Sequence, residues 1–259
     1  MVAIEPTFNR RALLTGAACA ALSASISRDA PAAERPIARL IEQSHQYSTI
    51  SQRIEAISHA LLGHRYQADT LIGGPRKAEV LVTRDDRFDC VTFCETVLAA
   101  SRAHDLPSFE AALRAIRYRD GVIDWHARNH DFAAWCERNV GGGFCKPVTI
   151  GESVEVKKTL TIPSALGRRS YVIAGVPGKA LLARKDDLRR GDIVGFVSQR
   201  AWLDYFHTGF VMFDGKGELL LRNASQSRGR VVDQSMKNFL SANGVRYVTV
   251  LRPQEVQTS

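Results

Sequence analysis

"WLDYFHTGFVMFDGKGELLLRNAS", residues 202–225, sets two runs of strand-forming residues around Asp-Gly-Lys-Gly. Aromatic and branched residues suit a pleated surface, and the glycines supply turn chemistry, so the stretch reads as an antiparallel hairpin. The loop length decides which residues face each other. A three-residue loop, Asp214–Lys216, sets Asn223 directly opposite His207. A two-residue loop at Asp214-Gly215 puts Arg222 there instead and turns Asn223 to the other face. The sequence leaves the choice open.

Further strands flank this hairpin. "LRRGDIVGFVS" (188–198) is entered through Gly191-Asp192, "YVTVLRP" (247–253) follows, and "SVEVKKTLTI" (153–162) alternates upstream, with a loop or short helix expected from there to about Lys185. The N-terminal half has helical spacing instead. One run extends from Ile37 to about Leu62 with Gly63 as its stop. A second helix begins at Asp89, and a third is "SFEAALRAIRY" (108–118), capped by Ser108. A short helix from about Asp131 ends "RDGVIDWHARNHDFAAWCERN" (119–139), and "AEVLVT" (78–83) is a short strand. Helices first and an antiparallel meander afterwards is the α+β pattern.

The helix at Asp89 carries the chemistry. In "RDDRFDCVTFCETVL" (84–98) it places Cys90 at its first position, behind Asp89 as a cap. Free N–H groups and the helix dipole there favour a thiolate. Val91, Cys94, Val97 and Leu98 form the stripe that faces the core, so Cys94 reads as a small buried residue. Cys90 reads equally well as core packing or as a nucleophile until the hairpin is considered. Cys90, His207 and Asn223 together supply a nucleophile, a base and a group that orients the base, and a thiolate–imidazolium pair is expected from them. The seven histidines show no His-Glu-x-x-His spacing, and Cys90 and Cys94 have no nearby partner pair. No metal or cofactor is expected.

Composition bounds the setting. The chain has 259 residues and a net charge of +8, compatible with an anionic polymer, a membrane surface or nucleic acid as partner. "FNRRALLTGAACAALSASIS" (8–27) pairs Arg10-Arg11 with a short apolar run and small residues, the layout of a twin-arginine export signal. Residues 1–27 are read as that signal, 28–36 as a linker and 37–259 as one domain. The mature chain is expected outside the cytoplasm, in the periplasm, without stable membrane insertion. Export disfavours nucleic acid as partner. Of the four remaining cysteines, Cys136 and Cys145 flank a glycine-rich loop that could close a disulfide. Cys90 and Cys94, on one helix, have side chains too nearly parallel for a bridge.

"FDCVTFCETVL", "GDIVGF", "LDYFHTGFVMF" and "LLLRNAS", in that order, resemble the NlpC-type cell-wall cysteine peptidases, and most of all their N-acetylmuramoyl-L-alanine amidase-like branch. The segment 116–139 resembles that branch's insertion after the nucleophile helix, and the likeness spans roughly residues 50–252. It implies a papain-like core: a helix-borne cysteine packed on an antiparallel sheet, with a helical N-terminal extension and an insertion. It also implies hydrolysis of an amide bond in peptidoglycan. By position, Cys90 is the nucleophile, His207 the base, and Asn223 stands where the family often has a histidine. Asp89, Arg128, Asn129 and His130 are expected along the substrate groove, though the last three also fit a solvated loop with internal hydrogen bonds. The rivals are an exported wall-binding module with an inert Cys90, a papain-like acyltransferase, and a Cys-x-x-x-Cys oxidoreductase.

Overall fold

The computed structural model describes residues 36–161 and 166–256. The expected export signal, and the expected linker apart from Pro36, lie outside the described residues. Helices α1 (Pro36–Ser44) and α2 (Ile50–Ala60) replace the single run expected from Ile37. Thr49, in an extended conformation, interrupts that run; its side chain accepts from the Gln52 N–H and starts a new helix with a capping box. Short strands β1 (Arg65–Tyr66), β2 (Ile72–Gly74), β3 (Lys77–Val80) and β4 (Arg87–Phe88) lead into α3 (Cys90–Arg102), α4 (Leu106–Arg117) and α5 (Phe132–Gly141). Asp105, not Ser108, caps α4; Ser108 sits in its first turn and its Oγ accepts from the Asp105 N–H.

The second half is mostly sheet. Strands β5 (Cys145–Pro147), β6 (Val154–Thr161) and β7 (Arg168–Pro177) precede helix α6 (Gly178–Ala183). Then come β8 (Ile193–Val197), β9 (Tyr205–Phe213), β10 (Leu219–Ser225), β11 (Arg230–Ser235), helix α7 (Met236–Ala242) and β12 (Tyr247–Pro253). Strand β7 stands where a loop or short helix was expected. Its paired arginines and Ala-Gly step hide the alternation, but it pairs with β6 from Val154↔Gly175 to Thr161↔Arg168. The main sheet runs β4-β1-β11-β10-β9-β8-β12-β7-β6, antiparallel except between β1 and β4, with β5 added to β12.

Both faces of the central strands are covered. Ile193, Phe210, Met212 and Ala224 share a core with Ile54, Phe93, Val97, Leu113 and Trp135 from the N-terminal helices. Their neighbours Val194, Val211 and Leu221 join Phe196, Leu181, Met236 and Leu240 in a second core under α6 and α7. Every residue of β8 is therefore buried, and it reads as a continuous apolar run rather than an alternating one. The fold is α+β with a curled antiparallel sheet, as the sequence pattern implied. Among the described residues, no helix is long and apolar enough to cross a membrane.

Candidate active site

The start of α3 is fixed three ways. Asp89 Oδ1 accepts from the Thr92 N–H at 2.8 Å, and Thr92 Oγ1 accepts from the Asp89 N–H at 3.0 Å, closing a capping box. Phe88, just before the cap, packs edge-on to Phe93 with centroids 5.8 Å apart, a hydrophobic staple across the first turn. Phe93 in turn meets Phe210 of β9 at 5.7 Å. One turn of helix is thereby pinned to one strand, and Cys90 is carried with it. Cys94 is fully buried, its sulfur 3.9 Å from the Thr208 hydroxyl, so it packs as the sequence implied.

The hairpin has neither expected register. Phe213 pairs with Leu219, leaving a five-residue connection, Asp214–Glu218. Lengthening the loop by two from the three-residue case preserves parity, so Asn223 stays on the face of His207 but lies diagonal to it. The diagonal is open because the residue between them is Gly209. A Cβ there would sit 2.9 Å from the Asn223 Cβ and 2.7 Å from the Arg222 carbonyl oxygen. Across that gap, His207 Nε2 lies 2.9 Å from Asn223 Oδ1.

This contact defines the tautomer. Asn223 is fully buried and its Nδ2 donates to the Leu221 carbonyl at 3.3 Å, so Oδ1 is the atom turned to the ring. The ring must then carry its proton on Nε2, leaving the Nδ1 lone pair free to accept a proton. The imidazole is held between Phe196, at 6.2 Å and 20°, and Phe239, at 5.5 Å. Alternation along β9 turns Thr208 toward α3 and His207 toward the other core. The pairing of β9 with β10 stops at Phe210↔Arg222, while β10 continues alongside β11 to Ser225. Beyond that point the two strands part. The Thr208 N–H in this parting lies near the Cys90 thiol and favours its thiolate form. The structure thus places Cys90 by the backbone of Thr208, while the His207 ring bonds to Asn223 and makes no hydrogen bond with the thiol.

The electrostatics differ from the expected ion pair. Burial and the neighbouring Asp89 carboxylate push the Cys90 thiol up to about 12, against the N–H groups of Thr208, Cys90 and Val91, which favour the thiolate. Burial also holds the His207 imidazole below its usual range, and the Asn223 hydrogen bond only partly opposes it. At neutral pH both the thiol and the imidazole are therefore uncharged at rest. Asp89→Asn tests this, because asparagine keeps the cap and removes the charge. Alkylation of Cys90 by iodoacetamide at fixed pH should be roughly threefold faster, or more, in that variant. An unchanged rate would mean that Asp89 does not raise the thiol.

Asp89, Arg128, Asn129 and His130 line one cavity of about 440 Å³ beside the first turn of α3. Each also has internal partners. Arg128 pairs with Glu79 at 2.9 Å, and Asn129 bonds the Ile116 carbonyl and the Arg138 guanidinium. His130 donates from Nε2 to the Trp125 carbonyl at 2.6 Å and is kept neutral chiefly by burial. Sequence reasoning missed Glu79, which resembles a solvated strand residue, and the backbone role of Thr208, which carries no side-chain signal. A second cavity, of about 520 Å³, lies among Val140, Val148, Ile173, Tyr205 and Leu251, and none of the expected site residues lines it. Cys136 and Cys145 are both buried free thiols, not a disulfide.

The chain resembles solved structures over most of its length. A Legionella pneumophila protein has a TM-score of 0.74 at 22% identity, with 85% of this chain and 94% of that one covered. An N-acetylmuramoyl-L-alanine amidase from Bacteroides uniformis has a TM-score of 0.64 at 25% identity, covering 76% and 97%. A Bacteroides fragilis protein whose name proposes a xylanase scores 0.64 at 25% identity, covering 75% and 98%. No curated protein matches the chain. The family profile described as AmiA-like, N-acetylmuramoyl-L-alanine amidase-like, matches residues 56–245, and the chain belongs to that family.

Proposed function

We propose that this chain hydrolyses an amide bond of peptidoglycan by cysteine nucleophilic catalysis on a papain-like core, outside the cytoplasm. The observation that carries the reading is the His207–Asn223 contact, which leaves Nδ1 free on the residue next to Thr208, whose N–H lies near the Cys90 thiol. Membership of an amidase-like family and the likeness to a B. uniformis amidase support the substrate class.

In this mechanism substrate binding expels water and the Cys90 proton passes to His207 Nδ1 as the sulfur attacks the amide carbonyl. The oxyanion accepts from the Cys90 and Val91 N–H groups, the first two of α3, which have no intrahelical acceptor. As the C–N bond breaks, His207 returns the proton to the leaving nitrogen. Water then attacks the thioester, giving a proton to His207, and the carboxylic acid and the thiol are released. Starting from a neutral pair, proton and sulfur move together, so the site needs no stored thiolate. Asn223 holds the ring throughout.

Digestion of purified sacculi followed by mass spectrometry tests the reading. Stem peptides with a free amino terminus, or stems cut internally, are the expected products. Intact sacculi and intact soluble muropeptides would overturn it, as would glycan shortening with every amide preserved. Transfer of the acyl group to an amine instead of water would reassign the chain as an acyltransferase.

A further inference from the structure

The loop Ser198–Asp204 joins β8 to β9 and delivers the chain to His207. Two buried charged side chains hold it. Lys158, from β6 and only 5% exposed, feels the nearby Asp204 carboxylate and donates to the Ser198 carbonyl and, at 2.8 Å, to the Arg200 carbonyl. Asp204, 3% exposed, accepts the Ala133 N–H at 2.7 Å, on the first turn of α5. Burying a lysine and an aspartate is costly, and here the hydrogen bonds they make fix the path of a short surface loop.

The large apolar side chain this loop presents to water, among the exposed Gln199, Arg200 and Ala201, is Trp202, 63% exposed. The guanidinium carbon of Arg200 lies 5.2 Å from the ring centroid, over one indole face. A large flat apolar group held in solvent by a fixed loop does nothing for folding, and aromatic groups of this kind are typical of binding surfaces. Trp202 does not line the cavity of Asp89 and Arg128; it lies three residues before the start of β9, the strand that carries His207. A pyranose ring fits such a platform: its C–H face is flat and apolar, and its rim of hydroxyl and acetamido oxygens can accept from Arg200.

We propose that Trp202, flanked by Arg200, is a saccharide-stacking platform that seats the sugar adjoining the scissile amide. It rests on the reading of the site as a peptidoglycan amidohydrolase, and extends it to a residue that recognises the glycan. Lys158 and Asp204 are positioning residues for it.

The test uses the full chain and the disaccharide N-acetylglucosaminyl-N-acetylmuramic acid, titrated calorimetrically into wild type, Trp202→Ala and Trp202→Phe. Trp202→Ala should weaken binding roughly tenfold and Trp202→Phe much less, since a phenyl ring keeps a stacking face. Lys158→Met should weaken it as well, by releasing the loop. Wild type that ignores the disaccharide, or Trp202→Ala that binds it as wild type does, overturns the proposal. In hydrolysis, Trp202→Ala should raise KM more than it lowers kcat. Its loss on glycan-bearing muramyl peptides should exceed its loss on a sugar-free lactyl peptide by roughly tenfold; equal losses overturn the proposal. Disaccharide binding that depends on Trp202 in a protein that cuts no amide would remove the catalytic reading and leave the saccharide site standing.

Discussion

Cys90→Ala should lower the rate of muropeptide release by a factor of about 10⁴ or more while leaving the fold intact. The size follows from the proposed chemistry: without the thioester the reaction reverts to direct attack by water. Thermal unfolding should move little, because the cap and staple that hold the first turn of α3 use Asp89, Thr92, Phe88 and Phe93 rather than the thiol. His207→Ala should cost about as much, and the double variant little more, since the two groups act as one unit. Cys94→Ser separates this account from a Cys-x-x-x-Cys oxidoreductase: it introduces a buried hydroxyl and lowers stability, but should retain most of the activity.

The pH profile of kcat/KM carries the resting protonation state. In the proposed mechanism Cys90 and His207 share one proton between them. Adding a second titrates His207, whose imidazole is held below its usual range by burial, so the acid limb should fall below that of an ordinary histidine. Removing the last proton titrates the thiol, raised to about 12, so the alkaline limb should lie far above neutrality and the plateau should be broad. A resting ion pair also has a low acid limb, from protonation of the thiolate, but its alkaline limb is deprotonation of the imidazolium and lies far below that of the raised thiol. An alkaline limb below about pH 9 would therefore overturn the neutral pair while leaving the two catalytic groups in place.

What could be read in advance divides along a physical line. The capped start of α3 is local, since Asp89 and the apolar spacing after it are adjacent in the chain, and the helix begins where they say. Two strands around a glycine-rich turn are also local. The register was not, because Asp214 Oδ1 accepts from the N–H groups of both Lys216 and Glu218, at 2.8 and 2.9 Å, and holds the turn open for five residues. Asn223 still meets His207 only because parity was kept and because residue 209 has no side chain. The 128–130 segment depends on Glu79, 49 residues away from Arg128, and no local pattern marks such a pairing. The protonation state of the thiol depends on burial, which the order of residues does not reveal.

Arg117→Met should be the most destabilising single change near the site, by about 3–5 kcal/mol. Arg117 and Glu95 are both nearly inaccessible, at 2% and 3%, and meet at 2.7 Å. A further guanidinium nitrogen donates to the Val82 carbonyl at 2.7 Å, tying α3 and α4 to the chain before β4. Burial already raises the Glu95 carboxyl, against the pull of Arg117 and of the Trp135 indole. Without the guanidinium the raised value climbs further. The folded state then keeps a proton that the unfolded chain has released, so the variant's stability falls as pH rises through the window between the ordinary carboxylate range and the raised value. Urea melts should therefore show a larger deficit against wild type at pH 8 than at pH 5. Replacing both partners, as in Glu95→Leu with Arg117→Met, should recover much of the loss, because no unpaired charge is left in the core. A deficit below about 1 kcal/mol, equal at both pH values, would mean that water reaches the pair and the carboxylate is not desolvated. Glu95 also lines the cavity beside Cys90, so the same variant reports on the site: a folded Arg117→Met protein should lose substrate affinity as the carboxylate, freed from its partner, takes up a proton.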